Sequence, residues 1–221
     1  MRDAVVIFDM DGVIFDTENL ILQCWQYLAA KYNIGDMDEV FRRCIGTNIQ
    51  ETERLVMEYY GSDFPYDTFR QESSALFHER IKEKGMPVKA GARELLSFLK
   101  VNGWRIGLAS STRRAVILEE LEQTGLLDFF EVIVGGDMVE KSKPAPDIYR
   151  KACEEMGIRP DGVYAIEDSK NGLRSAAAAG LRVLLVPDLI VPDKEMEQLA
   201  FQIFHDLIEV RQYFARQFFA R

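Results

Sequence analysis

The chain has 221 residues, 48% hydrophobic and 29% charged, which is too apolar for a disordered segment and suits one large domain, or one carrying an insertion, rather than two independent enzymes. Its 27 lysines and arginines against 36 aspartates and glutamates give a formal charge of −9, a balance that repels nucleic-acid backbones and anionic membranes. Cys24, Cys44 and Cys153 form no CxxC or zinc half-site and point to a reducing compartment, the cytoplasm; the short apolar run before Asp9 and the stretch from Ser175 to Pro187, cut by Arg182, give neither an export signal nor a membrane span.

Val5 to Phe8 is the first of several β-branched or aliphatic runs that end abruptly in acidic, small or hydroxyl residues. The pattern then changes. From about Thr17 to Lys89 the periodicity predicts helices over 20–32, 38–44, 49–60 and 66–84 and no strand, an all-helical insertion bounded by Asp16-Thr17 and by Gly85-Met86-Pro87. Residues 17–87 are assigned to this insertion, and residues 1–16 with 88–221 to the remainder. There, strands over 104–109, 132–134, 163–166 and 182–186 alternate with helices over 92–100, 114–124, 147–156 and 172–179. Continuous apolar runs of this length suit parallel strands covered on both faces, so the alternation predicts an α/β fold, a doubly wound parallel sheet of Rossmann-like type. From Phe201 to Arg221, aromatic and aliphatic residues recur at helical intervals, which predicts a helix docked on the core in preference to an oligomer contact. A monomer or a weak homodimer is expected.

In an open α/β sheet, ligands bind beyond the carboxyl ends of the strands. Those ends carry Asp9-Met10-Asp11-Gly12, Ser110-Ser111-Thr112, Gly135-Gly136-Asp137 followed by Lys143-Pro144, and Glu167-Asp168-Ser169. Singly, each has an ordinary explanation: a turn at Gly12, helix caps at Ser110 to Thr112 and at Asp168-Ser169, a solvated charge at Lys143. Together they bring several carboxylates to one rim, which makes sense only if a cation sits among them. With no histidine or cysteine nearby in sequence, oxygen ligands and a phosphate-bearing partner favour Mg²⁺ over zinc.

These segments, in this order and at this spacing, resemble the four motifs of the haloacid dehalogenase (HAD) superfamily, and the helical insertion after the first resembles that family's cap. The resemblance covers nearly the whole chain. It implies a HAD core with an inserted helical cap, and a phosphatase acting through an aspartyl-phosphate. Asp9 resembles the nucleophile and Asp11 the general acid and base. Ser110, the backbone N–H of Ser111 and Lys143 resemble the phosphate-binding groups. Asp9, Asp168 and the backbone carbonyl of Asp11 resemble the Mg²⁺ ligands, and Glu167 one that binds directly or through water. Thr17 and Glu18 fall at the family's hinge, where Thr17 is as well explained as a helix cap.

Asp11 argues for phosphate-ester chemistry, since a halide leaving group needs no acid. Within the superfamily the chain resembles the β-phosphoglucomutase-like branch. The mutases place a histidine four residues after the hinge threonine, where this chain has Ile21, and an arginine three residues after a cap-loop glycine, where Ile49 follows Gly46. An isoleucine cannot grip a second phosphate. A phosphatase for a small phosphorylated metabolite, such as a sugar phosphate, is therefore preferred to a phosphosugar mutase. Thr17, Glu18, Asn48 and His78 are the candidate cap residues for substrate, each equally at home on a solvated surface. A non-catalytic module in which Asp9 is merely phosphorylated as a signal fits poorly, because receiver domains are shorter and have no lid.

Overall fold

The computed structural model describes residues 4–219 except 36, 46 and 48. The chain divides into two compact units, Met1–Phe15 with Val88–Arg221, and Asp16–Pro87. The first strand, β1 (Val5–Phe8), opens the larger unit, and four helices of the smaller unit follow: α1 (Thr17–Tyr32), α2 (Asp38–Cys44), α3 (Ile49–Tyr60) and α4 (Tyr66–Lys84). The smaller unit is closed at its base by the Asp16 N–H donating to the Pro87 carbonyl at 2.8 Å. Its core is aromatic. Trp25 meets Phe41 and Phe69 edge-on, with ring centroids 5.1 and 5.3 Å away, the geometry that aligns ring edges with ring faces. Among its described residues this unit contains no strand.

The larger unit continues with α5 (Ala92–Val101), β2 (Arg105–Ser110), α6 (Arg114–Gln123), β3 (Val132–Gly135), α7 (Asp147–Glu155), β4 (Tyr164–Glu167), α8 (Lys170–Ala178), β5 (Arg182–Leu185), α9 (Lys194–Leu199), β6 (Gln202–Ile203) and α10 (Leu207–Phe219). All strands pair in parallel, in the order β3-β2-β1-β4-β5-β6. Alternate side chains of β1 go to opposite faces: Val5 and Ile7 join Ala109, Val134, Tyr149, Ala165, Leu173 and Val183 in one buried layer. On the other face Tyr164 and Trp104 pack against Phe214 of α10, with centroids 5.3 and 4.6 Å apart. α10 thus docks on the core through Leu207, Val210 and Phe214, all buried.

Three expectations need correction. The apolar spacing from Phe201 onward belongs partly to β6, so the helix starts only at Leu207. Lys143 is not a solvated charge, because its side chain is only 8% exposed. α8 also begins two residues earlier than its apolar pattern suggested, since Ser169 caps it by accepting the Gly172 N–H at 3.1 Å. No helix among the described residues is long and apolar enough to cross a membrane.

Candidate active site

The register sets the rim. Phe8 stands level with Leu108 and with Ile166, so the residues that follow them stand side by side, Asp9 just past the end of β1 and Ala109 and Glu167 still within β2 and β4. The Asp9 N–H still donates to the Ile166 carbonyl at 3.0 Å, which fixes Asp9 as a continuation of β1. Beyond it the chain turns sharply: the Met10 carbonyl accepts from the amides of Ile14 and Phe15, and Gly12 has a φ of +79°. Only glycine adopts that conformation readily. A Cβ at Gly12 would also overlap the Asp168 carboxylate, so the bare backbone leaves the room that carboxylate occupies.

Asp9, Glu167 and Asp168 are buried, and one carboxylate oxygen from each lies within 4.8 Å of the others. The Lys143 ammonium lies among them, donating to Asp9 Oδ1 at 2.6 Å, Glu167 Oε1 at 2.7 Å and the Ala109 carbonyl at 3.1 Å. Burial opposes this ammonium, but Asp9 and then Glu167 outweigh it and hold the lysine above its ordinary range. Burial pushes Asp9 up to about 7; Lys143 opposes that rise, and the charges of Glu167 and Asp11 add to it. One cation thus bridges two of three clustered carboxylates, a formal excess of two negative charges in a buried place when all are ionised. Such an excess fits a divalent cation, and an all-oxygen donor set fits a hard one.

Two residues complete the site that the sequence did not single out. Tyr149, fully buried on α7, donates its hydroxyl to Glu167 Oε1 at 2.6 Å, and Lys143 lies 5.1 Å from the centre of its ring. Burial and the charge of Glu167 hold the phenol well above its ordinary range, so it stays a donor. Tyr149 sits with Ile148, Ala152 and Cys153 on the apolar face of α7, and nothing in that pattern distinguishes it from a core aromatic. Thr112 donates its hydroxyl to Asp11 Oδ2 at 3.0 Å; in sequence it was visible only as part of a capping run.

Of the residues predicted from sequence, Asp9, Lys143, Glu167 and Asp168 therefore meet directly. Ser110 is buried at the end of β2 and Ser111 is exposed next to it. Asp11 joins that loop through Thr112. Thr17 and Glu18 open α1 in the helical unit, where Thr17 is buried and its predecessor Asp16 makes no side-chain cap. His78 is exposed on α4 beside Phe77. Asn48 lies outside the described residues.

Residues 6–186 match the family described as haloacid dehalogenase-like hydrolase. The chain belongs to that family. A phosphorylated carbohydrates phosphatase from Thermotoga maritima is 34% identical over 80% of this chain and 81% of its own. A β-phosphoglucomutase from Bacillus subtilis is 28% identical over 96% of this chain and 97% of its own. The crystal structure of a HAD family hydrolase from Deinococcus radiodurans, solved with bound phosphate and sodium, superposes with a TM-score of 0.81 at 28% identity, covering 97% of this chain and 96% of that one. This HAD hydrolase falls in the phosphoglucomutase-like branch of the superfamily, and it is a phosphatase.

Proposed function

We propose that this hydrolase removes the phosphoryl group from a small phosphomonoester, a sugar phosphate, through a phosphoaspartate on Asp9, with Mg²⁺ as its cofactor. An Asp9 carboxylate oxygen attacks phosphorus, and the ester oxygen leaves with the bonding pair and takes a proton from Asp11. Asp11 then removes a proton from water, whose oxygen attacks phosphorus. The bond between phosphorus and Asp9 breaks, and inorganic phosphate and the free carboxylate result. The Ser110 hydroxyl and the Ser111 N–H donate to the phosphoryl oxygens, where charge accumulates during transfer. Lys143 favours the ionised form of Asp9 beside an incoming anion, against the burial that opposes it.

Asp9, Asp168 and the Asp11 backbone carbonyl would hold the cation, with Glu167 binding it directly or through water. Bound Mg²⁺ supplies charge neutralisation at the phosphoryl oxygens. The observation that carries this reading is the single buried lysine shared by Asp9 and Glu167 within a cluster of three carboxylates.

The helical unit, residues 17–87, is in this reading the cap, and it carries the choice of substrate; Thr17, Glu18, Asn48 and His78 are the residues to vary. The molecule is expected in a reducing cytoplasm, as a monomer or weak homodimer. The test is phosphate release from a panel of phosphorylated metabolites with Mg²⁺ present or chelated. Release that survives chelation or Asp9→Asn would overturn the reading. A phosphosugar mutase would give an isomeric sugar phosphate instead of inorganic phosphate, and Ile21 and Ile49 argue for release.

A further inference from the structure

Thr112 is held on every side. Its N–H donates to Ser110 Oγ at 3.1 Å, its carbonyl accepts the Gly136 N–H at 2.9 Å, and its hydroxyl donates to Asp11 Oδ2 at 3.0 Å. The next turn is fixed too, because the Arg114 N–H donates to Asp137 Oδ1 at 2.8 Å. Gly135 and Gly136 make this seating possible: a Cβ on Gly136 would overlap the Ser111 carbonyl, and one on Gly135 would overlap the Arg114 backbone. The Gly-Gly-Asp run that begins with the last residue of β3, which the proposed reaction does not use, is thus a platform for the loop from Ser111 to Arg114.

The geometry points to Thr112 as the positioning residue for the acid and base of the reaction, held by the Gly135-Gly136-Asp137 platform. The inference rests on the reading of Asp11 given above. The hydroxyl hydrogen bond fixes where one oxygen of the Asp11 carboxylate lies, and the backbone bonds of Thr112 fix the hydroxyl. Ser110 Oγ accepts from the Thr112 amide and keeps its own proton for another acceptor, so one loop orients both the phosphoryl donor and the proton carrier.

Thr112→Val keeps the size and loses the hydroxyl. It is expected to slow the first step, the pre-steady-state release of alcohol from alkyl phosphates, by about 10- to 100-fold, the scale of a misaligned catalytic group, and to change the corresponding burst of p-nitrophenol from p-nitrophenyl phosphate, whose leaving group needs no proton, by about threefold or less. Thr112→Ser is expected to recover most of the alkyl-ester rate. In an Asp11→Asn background, Thr112→Val is expected to have no further effect, because the residue acts through Asp11. Equal losses on both ester types, a full further loss in the Asp11→Asn background, or an unchanged alkyl-ester rate in a folded Thr112→Val protein would overturn the inference. If Asp11→Asn itself fails to discriminate between the esters, the reading of Asp11 fails instead.

Discussion

Gly172→Ala sets helix propensity against the packing of the site. Gly172 lies in the first turn of α8, and an alanine inside a helix is ordinarily better than glycine by about 0.5–1 kcal/mol. Here, however, the added Cβ would overlap the carboxylate of Glu167. That carboxylate has no exposed surface, and its Oε1 is held by Lys143 at 2.7 Å and Tyr149 at 2.6 Å. Moving it aside breaks at least one hydrogen bond to a charged group, roughly 1.5–3 kcal/mol, and overpacking a buried site adds about 1–3 kcal/mol. The loss exceeds the propensity gain, and the net effect is a destabilisation of about 1.5–5.5 kcal/mol. At roughly 2–4 °C per kcal/mol for a chain of this size, Tm should fall by about 3–22 °C. Thermal unfolding followed by circular dichroism measures it, and Glu167→Ala, which removes the obstructing group, should abolish most of the penalty in the double variant. A Gly172→Ala protein with raised Tm and full activity would refute the packing described for Glu167.

Lys143→Met should destabilise the fold by about 3–5 kcal/mol near pH 8, because it strands buried carboxylates without their cation; denaturant titration at pH 8 and pH 5 should show the larger loss at pH 8, and a pH-independent loss would contradict the charge account. Burial, with the Asp11 charge second, pushes Glu120 up to about 7, so the folded state binds this proton more tightly than the unfolded state. Stability from this group therefore falls as pH rises from about 4.5 to 7, and Glu120→Gln should gain on the wild type over that window by about 1 kcal/mol once solvent screening of a half-buried group is allowed for; a constant difference between pH 4.5 and 8 would count against it. Burial likewise pushes Asp9 up to about 7, so Mg²⁺ binding near neutrality should expel protons. Calorimetry in two buffers of different ionisation enthalpy would detect them, and buffer-independent heats would contradict a ligand role for Asp9.

The sheet was legible because its strands are continuous apolar runs such as Val5 to Phe8, and the helical unit because its periodicity never drops to two. β6 was not, since Gln202–Ile203 is two exposed residues long and the flanking Phe201, Phe204 and Leu207 mimic helical spacing. At the site, Asp9, Asp11, Lys143, Glu167 and Asp168 were visible as polar residues at strand ends and through the motifs they resemble. The partners that orient them were hidden. Tyr149 looks like any core aromatic until a buried carboxylate meets its hydroxyl, and Thr112 faces Asp11 across 101 positions of sequence. Pairings at that separation follow from strand order, which local patterns do not encode.

The most direct measurement is the stereochemical course at phosphorus, followed with a phosphorothioate monoester made chiral by two oxygen isotopes and hydrolysed in water carrying the third. Attack by Asp9 followed by attack of water inverts phosphorus twice, so the account predicts net retention in the released thiophosphate. Net inversion would mean that water displaces the alcohol in one step, and Asp9 would then have no covalent part in the reaction.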